Sequence, residues 1–301
     1  MLMLNIPSPI QVLELPLLKE KGLNLYVKRD DLIHDLISGN KWRKMKYNID
    51  KAKHKNYDGI LTFGGAHSNH IIATAFLCKH NQLKSIGIIR GDAHVEKSNT
   101  LNKCEELDME LSFVSRGDYK EKDSAQYIEK LQLAYPNYLI LPEGGANEAG
   151  VKGCEDIVAE IDVDFDFVTV DCGTGATLAG MVRELKPHQK AIGVQVLKGR
   201  DFISEEVLKF SPNTAEKFEV WTEYHFGGYA KYKDELLDFM RWFCKETGIK
   251  LDPIYTGKQF FAVFDQIDKG YFPRGTNIVL THTGGLQGIE GFEKRYGVRI
   301  Y

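Results

Sequence analysis

The chain has 301 residues, of which 43% are hydrophobic and 27% charged, and carries a formal net charge of -3. Its mean hydropathy of -0.31 and pI of about 6.3 exclude an integral membrane protein and provide no overall basic field for nucleic acid. That length accommodates one large α/β domain or two of about 100–200 residues each.

The apolar start is interrupted by Pro7, Pro9, Glu14 and Pro16 and has no basic flank, so no signal peptide is expected. From there short apolar, β-branched runs alternate with amphipathic segments. Strands are expected at Leu23–Lys28, Gly59–Phe63, Ser85–Ile89, Leu111–Val114, Tyr138–Leu141, Phe167–Val170, Ala191–Val196 and Asn277–Leu280. Helices are expected near 40–54, 66–80, 97–108, 120–133, 147–161, 175–186, 230–247, 258–269 and 285–295. Alternation of this kind predicts an α/β, doubly wound fold with mostly parallel sheets, in which ligands sit outside the carboxyl ends of the strands. The five cysteines, at 78, 104, 154, 172 and 244, form no CxxC pair, and their odd number suits a reducing compartment, so a cytoplasmic protein is expected.

Four strand-to-helix turns or helix entries carry chemistry. In ISGNKWRK, Ser38, Gly39 and Asn40 open a helix with Lys41 in its first turn. There the positive helix terminus and Arg43, Lys44 and Lys46 disfavour the ammonium form and favour a nucleophilic amine. A solvated basic face is the plain alternative. In ILTFGGAHSNH, Gly64 and Gly65 lead into Ser68, Asn69 and His70, a set of donors suited to a carboxylate. Ser68 also fits a simple N-cap, and His67 with His70 forms an HxxH without a visible third metal ligand. In VTVDCGTGATLAG, Gly173, Thr174, Gly175, Ala176 and Thr177 form a socket for phosphate. As a dinucleotide fingerprint it fails at position 178, which is Leu, although Lys198 and Arg200 downstream keep an NADP-dependent oxidoreductase as an alternative. The last turn, IVLTHTGGLQG, brings Thr281, His282 and Thr283 to the same rim.

Taken together, SGNKWRK, FGGAHSNH, DCGTGAT, DPIYTGK and HTGG closely resemble, in order and interval, the 1-aminocyclopropane-1-carboxylate (ACC) deaminase / D-cysteine desulfhydrase family. The resemblance runs over roughly residues 8 to 290. It implies a fold type II, tryptophan synthase β-like enzyme using pyridoxal 5'-phosphate. A larger domain of 1–44 and 146–301 and a smaller one of 45–145 would hold the cofactor in the cleft between them. Lys41 would carry it as a Schiff base, Asn69 would lie beside its O3', and Gly173, Thr174, Gly175, Ala176 and Thr177 would cradle its phosphate. Ser68, Asn69 and His70 would receive the substrate carboxylate, Tyr255 and Tyr229 would lie over the site, and Thr283 would face the pyridine nitrogen.

Two departures bear on substrate. The deaminases resemble one another in Tyr-Glu and Ser-Asn-Gln, where this chain has Tyr255-Thr256 and Ser68-Asn69-His70. The expected activity is therefore that of a lyase or hydrolase on a small amino acid, D-cysteine β-elimination to pyruvate and ammonia, with ACC deamination to 2-oxobutyrate as the alternative. A hydroxyl at 283 is expected to leave the pyridine nitrogen unprotonated more of the time. The expected assembly is a homodimer, without a metal, nucleic acid or membrane partner. A non-catalytic phosphate-ligand binding protein is the remaining class.

Overall fold

A computed structural model describes residues 2–37, 39–92, 94 and 96–301, so that Ser38 of the helix entry lies outside the described residues. Ten strands are present among the described residues: β1 (Ile10–Leu13), β2 (Asn24–Lys28), β3 (Gly59–Gly65), β4 (Lys84–Arg90), β5 (Met109–Val114), β6 (Tyr138–Ile140), β7 (Phe167–Cys172), β8 (Lys190–Gln195), β9 (Phe218–Trp221) and β10 (Asn277–Thr281). They form two sheets, β5-β4-β3-β6 and β1-β2-β10-β7-β8-β9. All pairings are parallel except β1 with β2. The α/β, mostly parallel architecture expected from the sequence is the one observed.

The chain divides into two compact units, one of Lys41–Gly153 and one joining Met3–Asn40 to Cys154–Tyr301. In the first unit the near-continuous apolar run of β3 is buried along almost its whole length, as a strand covered on both faces requires. Leu61, Phe63, Ile86 and Ile88 pack there with Tyr119 and Leu131. The helix Asn40–His54 adds Met45, whose sulfur accepts from the Thr74 hydroxyl.

In the second unit the helices Asp234–Thr247 and Thr256–Asp268 meet through Phe239, Phe243, Phe260 and Phe264. Ring centroids there lie 5.3–5.9 Å apart. Each fully buried ring contributes about 1.5–3 kcal/mol over leaving it exposed. At the far edge, buried Lys28 donates to the Ser8 carbonyl at 3.0 Å and to Glu160 at 2.8 Å. Ser8 in turn donates to Asp30 at 2.6 Å, so this interior cation is paired and hydrogen-bonded, as burial demands.

The placement of β10 decides what the second unit can do. The last strand of the chain lies between β2 and β7, with Leu280 opposite both Val27 and Thr169. Because the three strands run parallel, the segments that follow them (29–39, 173–175 and 282–285) leave the sheet at one edge. The approach is close: Gly39 has φ of +67°, and a Cβ there would sit 1.7 Å from the Thr283 carbonyl oxygen. Only glycine satisfies both the left-handed backbone and the missing space.

Gly39→Ala is expected to destabilise the protein by about 2 kcal/mol or more, through backbone strain and displacement of the 283 backbone. Urea unfolding of the variant against the wild type measures it, and an unchanged midpoint would contradict the contact.

Candidate active site

In the second unit the Gly-Thr-Gly turn ends β7 and opens the helix Ala176–Glu184, with Gly175 as N-cap at φ of +75°. No side chain caps that helix, so its first-turn amides keep their hydrogen-bonding capacity for something else. Thr177 is 4% exposed. Its hydroxyl accepts from the Asn40 amide at 3.0 Å, and its own hydrogen has no acceptor among the described residues. Asn40 is the residue before Lys41 in the chain. The side of Gly173 where a Cβ would project meets only the Tyr255 ring, at 3.5 Å.

Tyr255 and Tyr229 meet edge to face, with centroids 6.4 Å apart. Tyr229 stands on a loop whose backbone is left-handed at Phe226, Gly227, Gly228 and Ala230. Lys258, fully buried, holds that loop by donating to the carbonyls of His225 and Gly228, each at 2.8 Å. Burial pushes the Lys258 ammonium down to about 8, against the opposing effect of Asp252.

Asp252 is a second organiser. Its carboxylate accepts from the amides of Ile254, Tyr255 and Thr256 and from the Thr256 hydroxyl. The Thr256 oxygen also accepts from the Asp252 amide at 2.8 Å. Burial raises the Asp252 carboxyl while these donors oppose the shift. Thr256 itself is fully buried, so its hydroxyl is consumed in starting the helix. The position where the deaminases have Glu is here a structural one.

Thr281 ends β10, and His282 and Thr283 follow it. The His282 ring donates from Nε2 to the Lys250 carbonyl at 2.7 Å and accepts at Nδ1 from the Gly284 amide. Thr283 donates to Asp171, the penultimate residue of β7.

In the first unit Ser68 is the N-cap of the helix Asn69–His80, its oxygen accepting from the Ile71 amide at 3.3 Å. The plain N-cap alternative is thus correct as far as it goes. Capping uses only the oxygen, and the Ser68 hydrogen remains available to an incoming acceptor. Gly64 is required beneath it, since a Cβ there would meet the Ser68 Oγ at 2.8 Å.

His70 departs from its expected role as a carboxylate donor. The Thr62 hydroxyl donates to the Leu141 carbonyl, so the 2.8 Å contact to His70 Nε2 has the ring as donor. Its Nδ1 is then a bare acceptor, buried and without a partner among the described residues. Burial and the charges of Lys41 and Lys44 depress the ring to about 3, which fixes the neutral form. An acceptor-only nitrogen repels a carboxylate. Among the described residues no group of three metal-ligating side chains occurs, and no helix is long and apolar enough to cross a membrane.

Sequence reasoning passed over Asp171, Asp252 and Lys258, although the DPIYTGK motif contains the last two. Their signal is burial of charge, which a motif does not display.

The family model described as "Pyridoxal-phosphate dependent enzyme" matches residues 3–284. A Pyrococcus horikoshii protein with the provisional name 1-aminocyclopropane-1-carboxylate deaminase is 32% identical, covering 93% of this chain and 90% of that protein. An Arabidopsis thaliana protein named bifunctional D-cysteine desulfhydrase/1-aminocyclopropane-1-carboxylate deaminase, mitochondrial, is 29% identical over 95% of this chain and 78% of its own length. The crystal structure of an ACC deaminase homologue superposes with a TM-score of 0.81 at 29% identity, covering 96% of this chain and 92% of that one. These matches remove the NADP-dependent and non-catalytic alternatives. They support a lyase and leave no place for the hydrolase label.

The His70 shift has a thermodynamic consequence. With the folded ring near 3 and the ordinary value at 6.5, the unfolded chain binds the extra proton between those limits. Stability therefore falls as pH drops through that window. At pH about 4 the wild type is expected to have lost roughly 3 kcal/mol more, relative to neutral pH, than His70→Gln, which keeps a donor for Thr62 but cannot titrate. Parallel urea curves of the two proteins across that range decide it.

Proposed function

The chain belongs to the pyridoxal-phosphate dependent enzyme family, and from that premise we propose that it catalyses D-cysteine-type β-elimination, in which a small amino acid loses its β-substituent (sulfide from D-cysteine) and, with one water, leaves pyruvate and ammonia. The carrying observation is the Gly173–Thr177 turn, where unspent helix amides and the Thr177 hydrogen offer donors to a phosphate monoester. That donor set fits the family's cofactor, with Thr174 beside it. Lys41, next in the chain to the Asn40 that orients Thr177, is the attachment residue.

Pyridoxal phosphate, when bound, supplies the electron sink that stabilises negative charge on the carbon bearing the amine. The rest belongs to this chain. Lys41, which would hold the cofactor through its Nζ, would take and hold the α-proton there once that amine is free. Ser68 would donate its unspent hydrogen to the substrate carboxylate together with the first-turn amides of its helix, and Asn69 would add its amide to the same set of donors. Tyr255, over Gly173, and Tyr229 cover the turn and keep water from it. The enzyme works as a homodimer in a reducing compartment, the latter supported by five cysteines with no disulfide among them.

A second reaction, ACC deamination to 2-oxobutyrate, is favoured by the names of the relatives. ACC has no α-hydrogen for Lys41 to remove, so Ser68 or Tyr255 would have to attack or move a proton at the ring carbon.

One panel tests both. Purified protein is given D-cysteine, L-cysteine and ACC, with pyruvate and 2-oxobutyrate scored separately and the borohydride-reduced cofactor mapped to its peptide. Pyruvate from D-cysteine in excess over the other products is expected, with the label on Lys41 and a loss on the order of 10²–10⁴-fold in Lys41→Ala. Predominant 2-oxobutyrate from ACC would install the second reaction, and a label on another lysine would remove Lys41 from its role.

A further inference from the structure

Thr283 spends its only hydrogen on Asp171. Each residue is 6% exposed, and the bond runs from the Thr283 hydroxyl to an Asp171 carboxyl oxygen. A hydroxyl committed in this way offers any further neighbour lone pairs alone.

The backbone around it is pinned. Gly39 presses on the Thr283 carbonyl, leaving no room for even a Cβ. The His282 ring ties the preceding residue to Lys250 and the following one, Gly284, to itself. Threonine's branched side chain also has few low-energy rotamers. Thr283 therefore cannot swing cheaply to donate elsewhere.

We propose that Asp171 is a positioning residue that keeps the cofactor's pyridine nitrogen protonated, acting through Thr283; this rests on Thr283 being the partner of that nitrogen. An unprotonated nitrogen would set its own lone pair against those of Thr283. A protonated one donates to Thr283 and gains the negative charge of Asp171 one hydrogen bond away, in a buried setting where such charge acts strongly. The chain thereby places a carboxylate behind a hydroxyl at a site where the hydroxyl alone was expected to leave the nitrogen unprotonated.

The test is the ¹⁵N resonance of cofactor labelled at the ring nitrogen, in the holoenzyme, which reports protonation whatever the activity. The wild type is expected at the pyridinium position. Asp171→Asn, which keeps an acceptor for Thr283 but no charge, and Thr283→Val are both expected to move the resonance toward unprotonated pyridine, while Thr283→Ser restores it. A wild-type resonance at the unprotonated position overturns the proposal without help from any variant. A shift in Thr283→Val with none in Asp171→Asn overturns the role of Asp171 and leaves Thr283 as the partner. No shift in either variant overturns the assignment of Thr283 itself, and the proposal with it.

Discussion

Insertion of β10 between β2 and β7 is the constraint from which the second unit's chemistry derives. Parallel pairing on both sides satisfies the backbone of β10 and fixes its register, Leu280 against Val27 and Thr169. Three turns then have to share one edge, and each accommodates the others: glycine at 39 because a carbonyl lies against it, Asn40 bonded to Thr177, Thr283 bonded to Asp171. A slip of one residue in β10 would turn its side chains to the opposite face. The contacts of Thr283 with Gly39 and Asp171 would go with them.

Accounting for donors and acceptors explains what the polar residues are for. Thr256, His282 and Lys258 have spent their hydrogen-bonding capacity on the fold. Thr177 and Ser68 have used only their oxygens and keep a hydrogen to give. Residues of the first kind hold loops in place, and those of the second can meet an anion. His70 belongs to neither, since it gives its proton to Thr62 and presents a bare nitrogen. Sorting side chains by what remains unspent separates groups that a motif prints side by side.

Much of this was legible in the sequence. Doubly covered strands such as GILTFGG appear as unbroken apolar runs, and the glycine pairs mark where the chain turns toward a ligand. The short edge strands β1 and β9 escaped because each has four residues, a charged or amide side chain among them, and little burial to create a pattern. The helix at 66–80 begins only at Asn69, since Ser68 caps it, and the 230–247 helix waits until Asp234, beyond the left-handed loop that Lys258 holds. The roles of Asp171, Asp252 and Lys258 were hidden for a different reason. A buried charge is defined by who surrounds it: Asp171 meets Thr283 and Lys258 meets His225 and Gly228, all distant in the chain, while Asp252 is enclosed by the turn it organises.

The closed ring of hydrogen bonds between Asp252 and Thr256 bears on how substrate preference can be inherited. Residue 256 cannot be exchanged as a single letter: a glutamate there loses the hydroxyl that both gives to and receives from Asp252, and forces a second carboxylate beside a fully enclosed one. A change at residue 256 alone therefore acts first on the turn from 252 to 256 and, through that turn, on the Tyr255 backbone that Asp252 also holds.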